Sequence, residues 1–204
     1  MHPRAASSLR ERKKARTRRV IQEQALLLFL AKGYEATSVG KIAAAAGVSH
    51  MTFFRHFPTK EDVVLADDYD PLIGELVAAR PTDEPDVAKV RHALTDGLRR
   101  VCAADREALF ARTRLILHTP ALRARLWDQA VATQRLIVSA LTARPDHDGG
   151  DLRARVVVAA CFAAVTIAAF AWVESDGADE LPDLLDQAFI VLCREFGSTS
   201  GQRG

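Results

Sequence analysis

TSVGKIAAAAGVSHMTFFRHFPTKEDVV, residues 37–64, decides the fold. It reads as two short helices joined by a tight turn. Thr37 or Ser38 can cap the first, which turns Val39, Ile42, Ala43 and Ala46 to one buried face and stops at Gly47. Ser49 can cap the second, across residues 50–55, and Pro58 ends it soon after Phe57. Ala43 is small enough to let two helices approach, Gly47 permits the turn, and Val48 with Ile42 fills the angle between them. These are the physical requirements of a helix-turn-helix. With Phe53 and Phe57 facing inward, helical spacing places His50, Met51, Phe54 and Arg55 on or near the outer side. An α-helix fits the B-DNA major groove, where His50 and Arg55 can donate to base edges or phosphates.

Upstream, apolar periodicity begins at Thr17 and puts Ile21, Ala25, Leu28 and Phe29 on one face of a helix that ends at Lys32-Gly33. Residues 1–16 are expected to be a basic flexible arm, with Arg10 to Arg19 adding phosphate contacts or following the minor groove, and residues 17–64 the DNA-binding domain. Downstream, Thr59-Lys60-Glu61-Asp62 has the form of a capping box, with acids placed for the N-terminal dipole of the next helix. That helix is expected to be long and to bridge into a second domain, residues 65–204, with the module boundary between about residues 60 and 86 where RPTDEPD breaks the pattern. Further helices are expected over 87–103, 105–117, 120–143, 151–174 and 181–196. No strand alternation is sustained, so the fold class is all-α.

The net charge of +2 conceals a polarised chain. Residues 1–60 carry twelve Lys/Arg against three Glu, giving +9, and the remainder carries −7. Such asymmetry suits a protein whose first part approaches a polyanion. Cys102, Cys161 and Cys193 are odd in number and widely spaced, which points to reduced thiols and a cytoplasmic location. Val156 to Val173 runs 18 residues without a charge, yet seven are alanines, and small residues recur at helical spacing. A buried helix, not a membrane span, is the expectation.

Residues 17–65 resemble the TetR family, in which a Gly-Val-Ser turn precedes a recognition helix with an aromatic-rich end and then Pro-x-Lys-Glu. The resemblance implies DNA-facing roles for Lys41, Ser49, His50, Met51, Thr52, Phe54 and Arg55, with His56 and Lys60 clamping phosphates. Phe54 stands where the family often has tyrosine, so a phenol–phosphate bond is lost and a thymine methyl becomes the candidate contact. The continuation FFRHFPTKEDVVLADDYDP also resembles regulators associated with mycofactocin gene clusters. The family resemblance further implies a homodimer formed by the last two helices, a pseudo-palindromic operator, repression, and release by a small lipophilic effector. The excess apolar surface of residues 156–173 and 184–196 supports such an interface independently.

For the effector, the candidates are Phe110, Arg114, His118, Trp127, Gln134, Phe162 and Thr166, five of them with a plainer alternative. His118 suits a satisfied core or C-cap position, Arg114 a solvated helix face, and the aromatics ordinary core packing. Asp146, His147, Asp148 and Asp151 suit a polar turn better than a metal site. No nucleophile elbow, phosphate loop, dinucleotide fingerprint or metalloprotease helix is present, and neither a cofactor nor a metal is expected. Two rival classes remain: a non-specific architectural DNA-binding protein, and a helical enzyme with a basic extension. Equal affinity for random and operator DNA would mark the first, and turnover surviving removal of residues 1–60 the second.

Overall fold

A computed structural model of the chain describes residues 3–66, 70–143 and 150–197. The described residues form helices joined by turns, without strands. In chain order these are α1 (Pro3–Lys32), α2 (Val39–Ala45), α3 (His50–His56), α4 (Lys60–Leu65), α5 (Asp70–Ala78), α6 (Asp86–His118), α7 (Pro120–Thr142), α8 (Gly150–Glu174) and α9 (Leu181–Gly197).

The chain divides into two compact units. The first comprises residues 1–66 with 115–125. Here α1 packs on α2 and α4, and α2 on α3. Their shared core is Ile21, Ala25, Phe29, Tyr34, Ile42, Ala43, Phe53, Phe57 and the run Val63, Val64, Leu65. Phe29, Phe53 and Phe57 are almost wholly enclosed, and burial of each contributes on the order of 1.5–3 kcal/mol. The termini are closed as the residue types require. Ser38, not Thr37, caps α2: its hydroxyl accepts from the Lys41 amide at 3.4 Å, while buried Thr37 donates to the Gly33 carbonyl at 2.9 Å. Thr59 and Asp62 complete their capping box through bonds of 3.1 and 3.0 Å. Gly33 ends α1 at φ +83°.

The second unit comprises residues 67–114 with 126–204. There α8 packs along α9 over a core that includes Val77, Val90, Leu109, Ile137, Cys161, Trp172 and Phe189. By length and composition α8 could cross a bilayer, but it turns Ala154, Val158, Cys161, Ala168 and Trp172 into this protein core. Arg106 ties down the turn after α8, donating to the carbonyls of Gly177 and Asp179 at 2.6 and 3.0 Å.

Two expectations change. Helix α1 opens at Pro3 rather than near Thr17, so the segment assigned to a flexible arm is, from Pro3 onward, the first half of α1. Apolar periodicity marks where a helix is buried, whereas residues 4–16, with four Arg, three Ala and two Lys and no glycine, hold a helix by propensity. No long connecting helix follows the capping box. Helix α4 stops at Leu65, Ala66 is extended (φ −60°, ψ 116°), and α5 is a separate helix with Pro71 in its first turn, where proline is tolerated. The two helices expected over 87–103 and 105–117 are both present within α6, which is interrupted at Asp105 (φ −164°, ψ 87°), whose carboxylate caps the restart by accepting from the Ala108 amide at 3.0 Å. The acidic loop at Asp146, His147 and Asp148 lies outside the described residues.

Candidate nucleic-acid interface

The Ser49 hydroxyl starts α3 by accepting from the Thr52 amide at 3.1 Å, and it also shares a hydrogen bond of 2.9 Å with the Thr52 hydroxyl. Gly47 makes the preceding turn at φ +65°, a conformation that side chains with a Cβ adopt only at a cost. Phe53 then anchors the helix, fully buried, with Phe57 at 5.9 Å between ring centroids. A seven-residue helix does not persist alone in water, so these two phenyl rings hold α3 in place.

Fixing Phe53 inward fixes what faces outward. Met51 is 75% exposed, Phe54 40%, and His50 and Arg55 are also exposed. Phe54 leans edge-on against His50 at 4.8 Å and against Phe53 at 5.5 Å, which limits the freedom of the imidazole. The outer side of α3 therefore presents an imidazole, a thioether, a phenyl edge and a guanidinium, a set able to meet both polar base edges and thymine methyls.

Beside this face runs a groove of about 780 Å³ lined by Arg10, Glu11, Lys13, Lys14 and Thr17 of α1 and by Thr52, Arg55 and His56 of α3. His56 is half-buried, with Nδ1 buried and without a hydrogen-bond partner. Burial, then the charges of Arg18, Lys14 and Arg55, push its imidazole below the ordinary histidine range. It enters the groove as a neutral group, and the positive charge comes from the lysines and arginines. Arg18, expected from the sequence only as one of the basic residues from Arg10 to Arg19, stacks its guanidinium 4.5 Å from the Phe57 ring and donates to the His56 carbonyl at 3.1 Å. It thereby joins the end of α3 to α1.

Lys41 and Lys60 direct their ammonium groups to the loop between α1 and α2. Lys41 Nζ donates to the Ala36 carbonyl at 2.8 Å, and Lys60 Nζ donates to the Tyr34 carbonyl at 3.0 Å while lying 3.9 Å from the Tyr34 ring. The Tyr34 hydroxyl in turn donates to Glu61 Oε1 at 2.6 Å, tying this loop to α4. Sequence reasoning missed this bracket because its partners are 27 residues apart.

The effector candidates do not converge on one place. His118 is exposed and belongs to the first unit, whereas the other six belong to the second. Phe110 packs edge-on against buried Trp172 at 5.1 Å, with the Arg114 guanidinium 5.4 Å from its ring. Thr166 donates to the Phe162 carbonyl one turn back at 2.9 Å, and Trp127 is 62% exposed on α7. Gln134 alone of the set lines a second groove of about 550 Å³, between α7 and α8, together with Val131, Arg135, Val138, Ser139, Thr142, Arg155 and Ala159.

Comparison with known proteins agrees with this geometry. Residues 21–66 match the family model described as bacterial regulatory proteins of the tetR family, and residues 84–197 match that of the MftR C-terminal domain. The HTH-type transcriptional regulator TcmR of Streptomyces glaucescens is 35% identical over 159 residues, spanning 74% of this chain and 70% of TcmR. Among solved structures, the fatty acid degradation regulator FadR of Bacillus halodurans superposes with a TM-score of 0.60 at 22% identity, covering 92% of this chain and 96% of its own. The TetR-family repressor FadR of Thermus thermophilus, solved in complex with lauroyl-CoA, gives 0.57 at 23% identity, covering 92% and 97%. Two family models that together span most of the chain, and a relative aligned over more than two thirds of both lengths, establish that this chain belongs to the TetR family of bacterial transcriptional regulators.

Proposed function

We propose that the chain is a ligand-responsive repressor that binds a pseudo-palindromic operator as a homodimer, reads bases with α3, and releases DNA when a small lipophilic effector binds the helical C-terminal unit. The observation that carries DNA reading is the outer face of α3: Met51 at 75% exposure, flanked by His50, Phe54 and Arg55 on a helix anchored by buried Phe53. His50, Met51 and Arg55 contact bases, and Ser49, Thr52, His56, Lys41 and Lys60 serve the backbone. Two such helices must lie about 34–36 Å apart, or a multiple of that, to enter successive major grooves.

Dimerisation is supported by apolar side chains left open on the paired helices α8 and α9: Val156, Ile167, Ile190 and Val191 are 41–63% exposed. Buried in a four-helix contact with a second copy, they would form one continuous apolar interface. A lipophilic effector is supported by lauroyl-CoA in the Thermus thermophilus FadR. An effector can release DNA only by favouring a spacing of the two α3 helices that the operator does not.

The test is selection of duplexes from a random pool by the purified protein, followed by mobility shifts on the recovered motif. An inverted repeat is expected, with His50→Ala or Arg55→Ala altering the preferred bases and lauroyl-CoA dissociating the complex. Equal affinity for the recovered motif and for random duplex would overturn specific regulation, and indifference to acyl thioesters of every chain length would overturn the effector class.

A further inference from the structure

Along α1 the same face changes character. Ile21, Ala25 and Phe29 are buried on it, while one to three turns earlier its positions are occupied by Thr17, Lys14, Lys13 and Arg10. Helix α3 contributes a matching row at i, i+3 and i+4 spacing, Thr52, Arg55 and His56, and the two rows are the walls of one groove. Four cations line it against the single carboxylate of Glu11. Because α1 is helical from Pro3, these cations stand at fixed spacing rather than on a tether.

We propose that this groove is a seat for the sugar–phosphate strand bordering the major groove that α3 enters, and that the N-terminal half of α1 acts as a rigid second wall closing on that strand. Lys13 and Lys14 supply the charge, the Thr52 hydroxyl and neutral His56 supply hydrogen bonds, Arg10 extends the wall outward, and Arg55 stands at the rim where the groove meets the base-reading face. A helix rises 1.5 Å per residue, so residues 3–16 extend the wall about 21 Å beyond Thr17. The operator footprint therefore extends past the bases that α3 reads. This rests on α3 being the DNA-reading helix.

Rigidity separates a wall from a charged tether. Ala15 is exposed, and Ala15→Pro breaks the helix there while keeping every charge and leaving residues 16–32 able to form a helix. The experiment compares wild type, Ala15→Pro, the milder Ala15→Gly, and Lys13→Ala/Lys14→Ala on a 30-base-pair duplex carrying the motif the wild type selects. Circular dichroism and a denaturation curve check that the core is retained. A wall predicts that Ala15→Pro loses about tenfold or more in affinity, like the double alanine variant, with a salt slope shallower by about 0.9 for each phosphate released and a footprint shortened at both ends. Ala15→Gly falls between, and Glu11→Gln binds tighter by about threefold. Wild-type affinity and footprint for Ala15→Pro would overturn the wall while leaving the role of α3 intact. Loss in Ala15→Pro without loss in the double alanine variant would overturn the charge seat, and a wild type that selects no motif would remove both proposals.

Discussion

Exchanging glycine for alanine at two positions seven residues apart should change stability in opposite directions. Gly47 sits at φ +65° with nothing within 4 Å of where a Cβ would stand, so the cost of Gly47→Ala is purely backbone strain, on the order of 1–2 kcal/mol. Gly40 lies inside α2 without a positive φ, and its added Cβ would meet only the Ser38 hydroxyl at 3.9 Å. Gly40→Ala should therefore stabilise by about 0.5–1 kcal/mol, through helix propensity and a less disordered unfolded chain. The two variants should differ by about 1.5–3 kcal/mol. Tryptophan fluorescence does not report the turn locally, because Trp127 and Trp172 both belong to the second unit. Native-state hydrogen exchange at the Val48 and Phe53 amides, which bond to the Ala43 and Ser49 carbonyls at 3.0 Å, reports the turn directly. Protection there should fall roughly 5–30-fold in Gly47→Ala and rise in Gly40→Ala. Equal protection in Gly47→Ala and wild type, or reduced protection in Gly40→Ala, would refute the assignment of the turn.

Ile167→Asp combined with Val191→Asp should convert a dimer to a monomer by sedimentation or scattering and abolish cooperative operator binding; a variant that stays dimeric would place the interface elsewhere. Burial pushes the Glu61 carboxyl up, but the Tyr34 hydroxyl, its own amide, Thr59 and Lys60 together hold it below the ordinary glutamate range. The unfolded chain thus binds this proton at a higher pH than the folded one, so the stability contributed is complete above the ordinary glutamate value and lost as pH falls through the lowered one. Tyr34→Phe should cost about 1–2 kcal/mol at neutral pH and flatten that acid limb; an unchanged limb would assign the acid sensitivity to other carboxylates. Burial, with the nearby Cys193, pushes the Cys161 thiol up to about 12, whereas Cys193 is exposed. At about pH 8 an alkylating reagent should modify Cys193 in the native protein and reach Cys161 only on unfolding, since the thiolate is the nucleophile. Native labelling of Cys161 at a comparable rate would contradict its burial.

Much of the first unit was legible in the residues because its determinants are local. Ser49 and the Thr59–Asp62 box act within four residues of the backbone groups they satisfy, Gly47 and Pro58 act on the backbone where they stand, and the period of Phe53 and Phe57 fixes which side of α3 is outward. The start of α1 was not legible by the same means, because a solvated helix needs no apolar stripe and propensity leaves a weaker mark than periodicity. Nor was the scatter of the effector candidates, since residue type shows that Phe110 is aromatic but not that Trp172 and Arg114 already occupy its faces. The sequence by itself determined the helix-turn-helix, its outward residues and the basic polarity, all consequences of short-range hydrogen bonding and helical spacing. Only the tertiary structure decided that Arg18 clasps the end of α3, that Tyr34 meets Glu61, and that two basic rows from α1 and α3 line one groove. Those depend on how helices distant in sequence pack, and packing is settled by shape across the whole core rather than by any local pattern.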